Sequence, residues 1–222
     1  MTTRWLSLLA LLCLPVFPAA AGTLSMQVMD QRGQAVADAV LTLLPDGATA
    51  SDPDASASSS AASPATHTID QRDERFVPYV ELFRPGDRVV FRNSDNTRHH
   101  AYSFAPEAAF EMVLKPGESS DPITLPDAGT IAVGCNIHDQ MITYLVVADA
   151  LRQGKTDSRG QWQADDLPPG HYRLGIWHPQ IRPAGKAQTR ELDIGSDPQS
   201  LQVRIDLGPD PRGSGDRERL DY

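Results

Sequence analysis

Turn-forming residues cut this chain too often for long helices to form. It carries 18 prolines and 16 glycines in 222 residues, and between them lie short runs rich in β-branched and aromatic side chains. The runs TLSMQVMD and AVLTLL flank the turn QRGQ. RVVFRN, HAYSF, TIAVGC and TYLVVAD follow, then GQWQADDL, HYRLGIW, RELDIG and LQVRIDL, separated by DSRG, PPG and SDP. β-Branched and aromatic residues fit a pleated, half-buried surface, and Gly, Pro, Asp and Ser mark the bends between strands. Only EAAFEMVL is ambiguous, reading as one or two helical turns or as a strand. No long amphipathic helix is visible, so the predicted class is all-β, built as sandwiches.

The first residues, MTTRWLSLLALLCLPVFPAAAG, have a basic start at Arg4, an apolar run from Trp5 to Phe17 and the small residues Ala19–Ala21. That is the pattern of a cleaved secretory signal, and the run is short for a bilayer span. Residues 1–21 are therefore expected to leave on export, and no later segment is apolar enough to span a membrane. The chain has two cysteines, Cys13 and Cys135. Leu12 is too large for a lipoprotein signal, so Cys13 goes with the leader. Cys135 then stands alone in an oxidising compartment, where it is an inert buried thiol, an intermolecular link or a metal ligand. The formal net charge is −9, a poor match to nucleic acid or anionic lipid. Pro45 to Thr66 is Ala/Ser/Pro/Asp-rich, and Gly208 to Tyr222 is charged and rich in Gly and Pro; both are expected to be disordered.

The neighbours of Cys135 favour the metal. In VGCNIHDQMITY, Cys135, His138 and Met141 supply a thiolate, an imidazole and a thioether. Thioether is a poor zinc donor, and structural zinc uses four Cys/His ligands. An iron–sulfur cluster needs several thiolates. Two histidines, one cysteine and a weak axial methionine suit mononuclear copper. Such a site needs a second histidine from elsewhere, and upstream VVFRNSDNTRHHAYSF holds His99 and His100.

Here the sequence resembles the cupredoxins, among them plastocyanin, amicyanin and azurin. Asn93, Asp95 and His99 match N-x-D-x-x-x-H, and Cys135, His138 and Met141 match the short, amicyanin-like C-x2-H-x2-M loop before a last strand. The resemblance covers Thr68 to Asp149. RHHAYSF with GCNIHDQM is also similar to bacterial proteins labelled methylamine-utilisation proteins. It implies a Greek-key sandwich, a type 1 (blue) copper site and single-electron transfer, with His138 nearest the surface as electron exit. Counting from Asn93 favours His99 as first ligand, with His100 bonding across to the cysteine loop. Counting back from Phe104 puts His100 in that place, on one strand face with Tyr102 and Phe104.

The flanks carry a second resemblance. VMDQRGQAVADAVLTL, joined to TDSRGQW and LPPGHYRLGI, is similar to the carboxypeptidase regulatory-like domain, a small prealbumin-like sandwich. The expected organisation is a signal over 1–21, first flank strands over 22–45, a linker over 46–66, the cupredoxin domain over 67–149, the rest of the flank over 150–207 and a tail over 208–222. Trp162 and Trp177 are expected in the flank core, Met112 in the core, His178 at a surface strand end, and His67 and His171 facing solvent. Asp165 and Asp166 read as a solvated turn, and no catalytic or phosphate-binding motif is present. The expected function is a periplasmic, non-enzymatic electron carrier with one copper and a cytochrome or dehydrogenase as partner. A copper chaperone or store with the same ligands is the alternative.

Overall fold

The computed structural model describes residues 21–47, 63–183 and 187–212. The expected signal through residue 20, most of the Ala/Ser-rich linker and the end of the tail lie outside the described residues. Those described contain strands and no helix, and no helix long and apolar enough to cross a membrane is present among them.

In chain order the strands are β1 (Gly22–Met29), β2 (Val40–Pro45), β3 (Thr66–Arg72), β4 (Arg75–Val77), β5 (Val80–Phe83) and β6 (Arg88–Asn93). Then come β7 (His99–Ala105), β8 (Ala108–Leu114), β9 (Ile123–Thr124), β10 (Gly129–Cys135) and β11 (Ile142–Val147). The last are β12 (Arg152–Lys155), β13 (Gln161–Leu167), β14 (Gly170–Trp177), β15 (Gln188–Ile194) and β16 (Gln199–Arg204). EAAFEMVL is thus a strand, β8, paired along its length with β7.

Four sheets make two sandwiches. One joins β13-β1-β16 to β12-β2-β14-β15; the other joins β4-β3-β6-β9 to β5-β11-β10-β7-β8. In β1, Met26 lies opposite Trp162 of β13 and beside Leu201 of β16. Strands from both ends of the chain therefore form the first sandwich, and β3 to β11 form the second within it. Burial alternates along β1, with Leu24, Met26 and Val28 inward, as a half-buried strand requires. Leu41, Leu43 and Leu174 are fully buried in that core, each contributing about 1.5–3 kcal/mol through burial. Two matching turns close this sandwich. In DQRGQ, Asp30 Oδ1 accepts the N–H groups of Arg32 and Gln34; in DSRGQ, Asp157 Oδ1 accepts those of Arg159 and Gln161. Gly160 has φ +71°, and a Cβ there would lie 2.4 Å from Val28 O, so glycine is required on both counts.

The two sandwiches meet along β5 and β11. Val40, Tyr79, Val80 and Val146 form a buried cluster with Ile142, Tyr144 and Trp177 packed against it. Lys155 Nζ donates to Val80 O at 2.5 Å and to Glu81 Oε2 at 2.9 Å. Trp177 is therefore not in the flank core: Tyr172, Leu174 and Ile176 point there, and strand alternation turns Trp177 the other way, onto Tyr144 at 5.8 Å between ring centroids. His178 is not at the surface either. It is 4% exposed, and burial, with the Arg212 charge, pushes its pKa down to about 4. His67 is half-buried against Phe83, with Nδ1 2.7 Å from Glu81 Oε1, whereas His171 is exposed beside Asp193. Gly208 to Arg212, expected as the start of a disordered tail, packs back on the molecule. Gly208 N–H donates to Gln180 O, and the Arg212 guanidinium lies 3.3 Å above the Tyr79 ring.

Candidate metal centre

One end of the second sandwich gathers the chemistry-bearing residues. β6 ends at Asn93, and the loop that follows leads into β7 at His99. The Asn93 side chain fixes that loop: Nδ2 donates to Thr97 O at 2.8 Å and to Leu114 O at 2.9 Å, while Oδ1 accepts Asp95 N–H at 2.9 Å. Next to β7 in the same sheet, β10 ends at Cys135, which lies opposite Ala101. The loop from Cys135 to Met141 closes on itself. Met141 N–H donates to His138 O at 3.0 Å, and Cys135 N–H donates to Met141 O at 3.2 Å.

These strand ends bring His99, Cys135 and His138 together, with one ligand atom of each within 4.8 Å of the others. His99 is fully buried, and the side chain of His138 is 20% exposed. Cys135 Sγ accepts the Ile137 N–H at 3.5 Å. Met141 is 1% exposed and shares the hydrophobic core that contains Cys135. His100 is not in the group. Strand alternation turns it to the outer face, where Nδ1 lies 2.8 Å from Asn136 Nδ2 and Nε2 lies 2.9 Å from Glu111 Oε1. It ties β7 to the cysteine loop from outside. Its outer-face neighbour Tyr102 lies over Gly134, where a Cβ would come 3.1 Å from the tyrosine ring.

Hydrogen bonding sets which nitrogen of His99 is free. Asp95 Oδ2 lies 2.7 Å from His99 Nε2 and also accepts Glu74 N–H at 3.0 Å; Asp95 Oδ1 accepts Asp73 N–H at 2.6 Å. Asp73 and Glu74 both adopt φ 53°, an uncommon conformation for non-glycine residues, and so aim two consecutive N–H groups at one carboxylate. Burial works to raise the Asp95 pKa, but the Glu74 N–H, the His99 ring and the Asp73 N–H outweigh it and hold the pKa below the usual carboxylate value. A carboxylate at Nε2 places the proton of a neutral imidazole there and leaves the Nδ1 lone pair free. Nδ1 of His99 is buried without a hydrogen-bond partner, and so is Nδ1 of His138. The Nε2 of His138 lies 3.6 Å from Glu74 Oε1.

Buried polar atoms without partners are costly, and native proteins rarely leave them so. Two free imidazole lone pairs converging beside a buried thiol fit a soft metal ion. The donor set suits copper, while three Cys/His donors fall short of the usual structural zinc shell.

No family model matches the chain, and no curated protein matches it. Solved structures do. The Cu-containing nitrite reductase from Thermus scotoductus SA-01 is 26% identical, with a TM-score of 0.34, over 39% of this chain and 23% of that one. The chain thus spans under a quarter of that enzyme's length. The oxidised state of a proline-to-alanine variant of amicyanin is 25% identical, with a TM-score of 0.34, over 42% of this chain and 89% of that one. A Cu(I) form of a methionine-to-glutamine variant of amicyanin is 18% identical, with a TM-score of 0.34, over 48% of this chain and 98% of that one. The fold is all-β, with a β-sandwich at the candidate centre.

Proposed function

We propose that this is an exported mononuclear blue-copper protein that carries single electrons in the periplasm. His99, Cys135 and His138 would hold the metal, with the Met141 thioether as a further, weaker donor. The observation that carries this reading is the pair of buried, partnerless Nδ1 atoms beside the Cys135 thiol. When bound there, copper would supply one-electron chemistry between Cu(I) and Cu(II).

The chain's own residues supply rigidity and access. Asp95 orients the His99 ring, and the Ile137 N–H supports the sulfur. The strands β7, β10 and β11 fix the ligands in a packed core, so little rearrangement accompanies a change of charge. His138, more exposed than His99, is the edge at which a redox partner makes contact. A cytochrome or a dehydrogenase is a partner of suitable chemistry. The flank sandwich, similar in its turn motifs to carboxypeptidase regulatory-like domains, braces the β5–β11 side.

Voltammetry of the copper-loaded protein, paired with a copper-transfer assay, tests the carrier role. A reversible one-electron couple with fast self-exchange and copper retained against a competing chelator is expected. Rapid surrender of copper with sluggish electron exchange would favour a chaperone or store instead.

A further inference from the structure

We infer that Gln71 is a further residue of the metal centre, its carboxamide oxygen directed to the ion that His99, Cys135 and His138 hold. This rests on the copper-binding reading above. Gln71 is fully buried, yet neither Oε1 nor Nε2 of its side chain has a hydrogen-bond partner. In a packed interior such a group is costly, and the chain could avoid that cost with an apolar residue.

Its position in the fold shows what it faces. Burial in β3 falls on Ile69 and Gln71, so the two share the inward face of the strand. Ile69 belongs to the core that contains Cys135 and Met141. Gln71 lies one step further along the same face, toward the end where the ligands gather. It pairs with Asn93 in the β3–β6 ladder, and its carbonyl accepts the Ser94 N–H at 2.9 Å. Asn93 in turn bonds Leu114 O, and Leu114 lies opposite His99. Two residues beyond Gln71, Asp73 N–H is bonded to the carboxylate that holds His99.

Gln71 thus approaches from the sheet opposite the one that carries His99 and Cys135. Among the side chains at this end of the sandwich with buried polar atoms that lack a hydrogen-bond partner are His99, His138 and Gln71. A single bound cation satisfies the lone pairs of all three. A carboxamide oxygen is an adequate weak donor to copper, and it adds no charge.

The test separates a donor from a structural role. Compare the purified protein with Gln71→Leu and Gln71→Glu, with and without copper. In the metal-free state Gln71→Leu is expected to melt no lower than the parent, because it removes an unsatisfied polar group. With copper, its affinity is expected to fall by about tenfold or more, with a shifted thiolate-to-copper band. Gln71→Glu keeps an oxygen at the same reach and is expected to restore affinity. Unchanged affinity, potential and band in Gln71→Leu would overturn the inference, as would an equal loss in Gln71→Glu. A parent protein that binds no copper would instead overturn the reading on which it rests.

Discussion

The two sandwiches share a β architecture and differ in how they treat buried polar atoms. In the flank, the two fully buried polar side chains are bonded, and among the described residues there only the Oε1 of half-buried Gln153 is left without a partner. Thr156 Oγ1 donates to Val36 O at 2.7 Å and accepts the Ala39 N–H at 2.9 Å, and His178 Nδ1 accepts the Gln180 N–H at 3.2 Å. At the ligand end of the inserted sandwich, His99 Nδ1, His138 Nδ1 and both amide atoms of Gln71 are buried and unbonded. One region satisfies its fully buried side chains from its own chain, and the other leaves several such atoms without a partner. The proposed metal centre accounts for that contrast.

The largest expected effect breaks the contrast at its source. His99→Ala is expected to abolish tight copper binding, measured by competition with a chelator of known affinity. His100→Ala is expected to change it less than about tenfold, the low end for residues that only support a ligand. A larger loss in His100→Ala would mean the outward ring is the ligand.

Next come changes confined to the flank. Leu174→Ala, in the flank core, is expected to cost about 2–5 kcal/mol in denaturant unfolding. The absorption band per bound copper is expected to stay unchanged in the folded fraction. A shifted band would show that the flank also shapes the metal site.

Acid gives a third comparison. With the pKa of His178 lowered to about 4, the unfolded chain binds more protons than the folded one between about 4 and the ordinary value of about 6.5. Flank stability therefore falls as pH drops through that window. The loss from this group approaches about 3 kcal/mol below pH 4. His178→Gln is expected to flatten the slope of melting temperature against pH, and an equal slope in both proteins would contradict the assignment.

The smallest effect lies between the sandwiches. Lys155→Met removes the bonds to Val80 O and Glu81 Oε2, and the pair is partly exposed, so a loss of about 1 kcal/mol is expected.

Much of this was legible in the chain. The ligand loop carries its chemistry in consecutive letters, and the turns DQRGQ and DSRGQ announce themselves by Asp and Gly. What escaped depends on which strand faces are covered. The reading that favoured His100 grouped it with Tyr102 and Phe104, and those three do share a face, but it is the outer one, where Phe104 is 82% exposed. Trp177 has the opposite parity to Tyr172, Leu174 and Ile176, a visible signal, yet only the second sandwich explains why that face is buried. His178 continues the inward parity of the same strand. Gln71 belongs to no motif in the sequence. Its one clue was a shared inward parity with Ile69, which means little until the ligands are seen across the core.

The most direct test of the account is a titration of the purified, reduced protein with Cu(II), followed by visible absorption, beside Cys135→Ser. The account predicts an intense thiolate-to-copper band in the parent that saturates at one copper per chain and is absent from Cys135→Ser. A folded parent with Cys135 reduced and no such band, or a band that persists in Cys135→Ser, would contradict it.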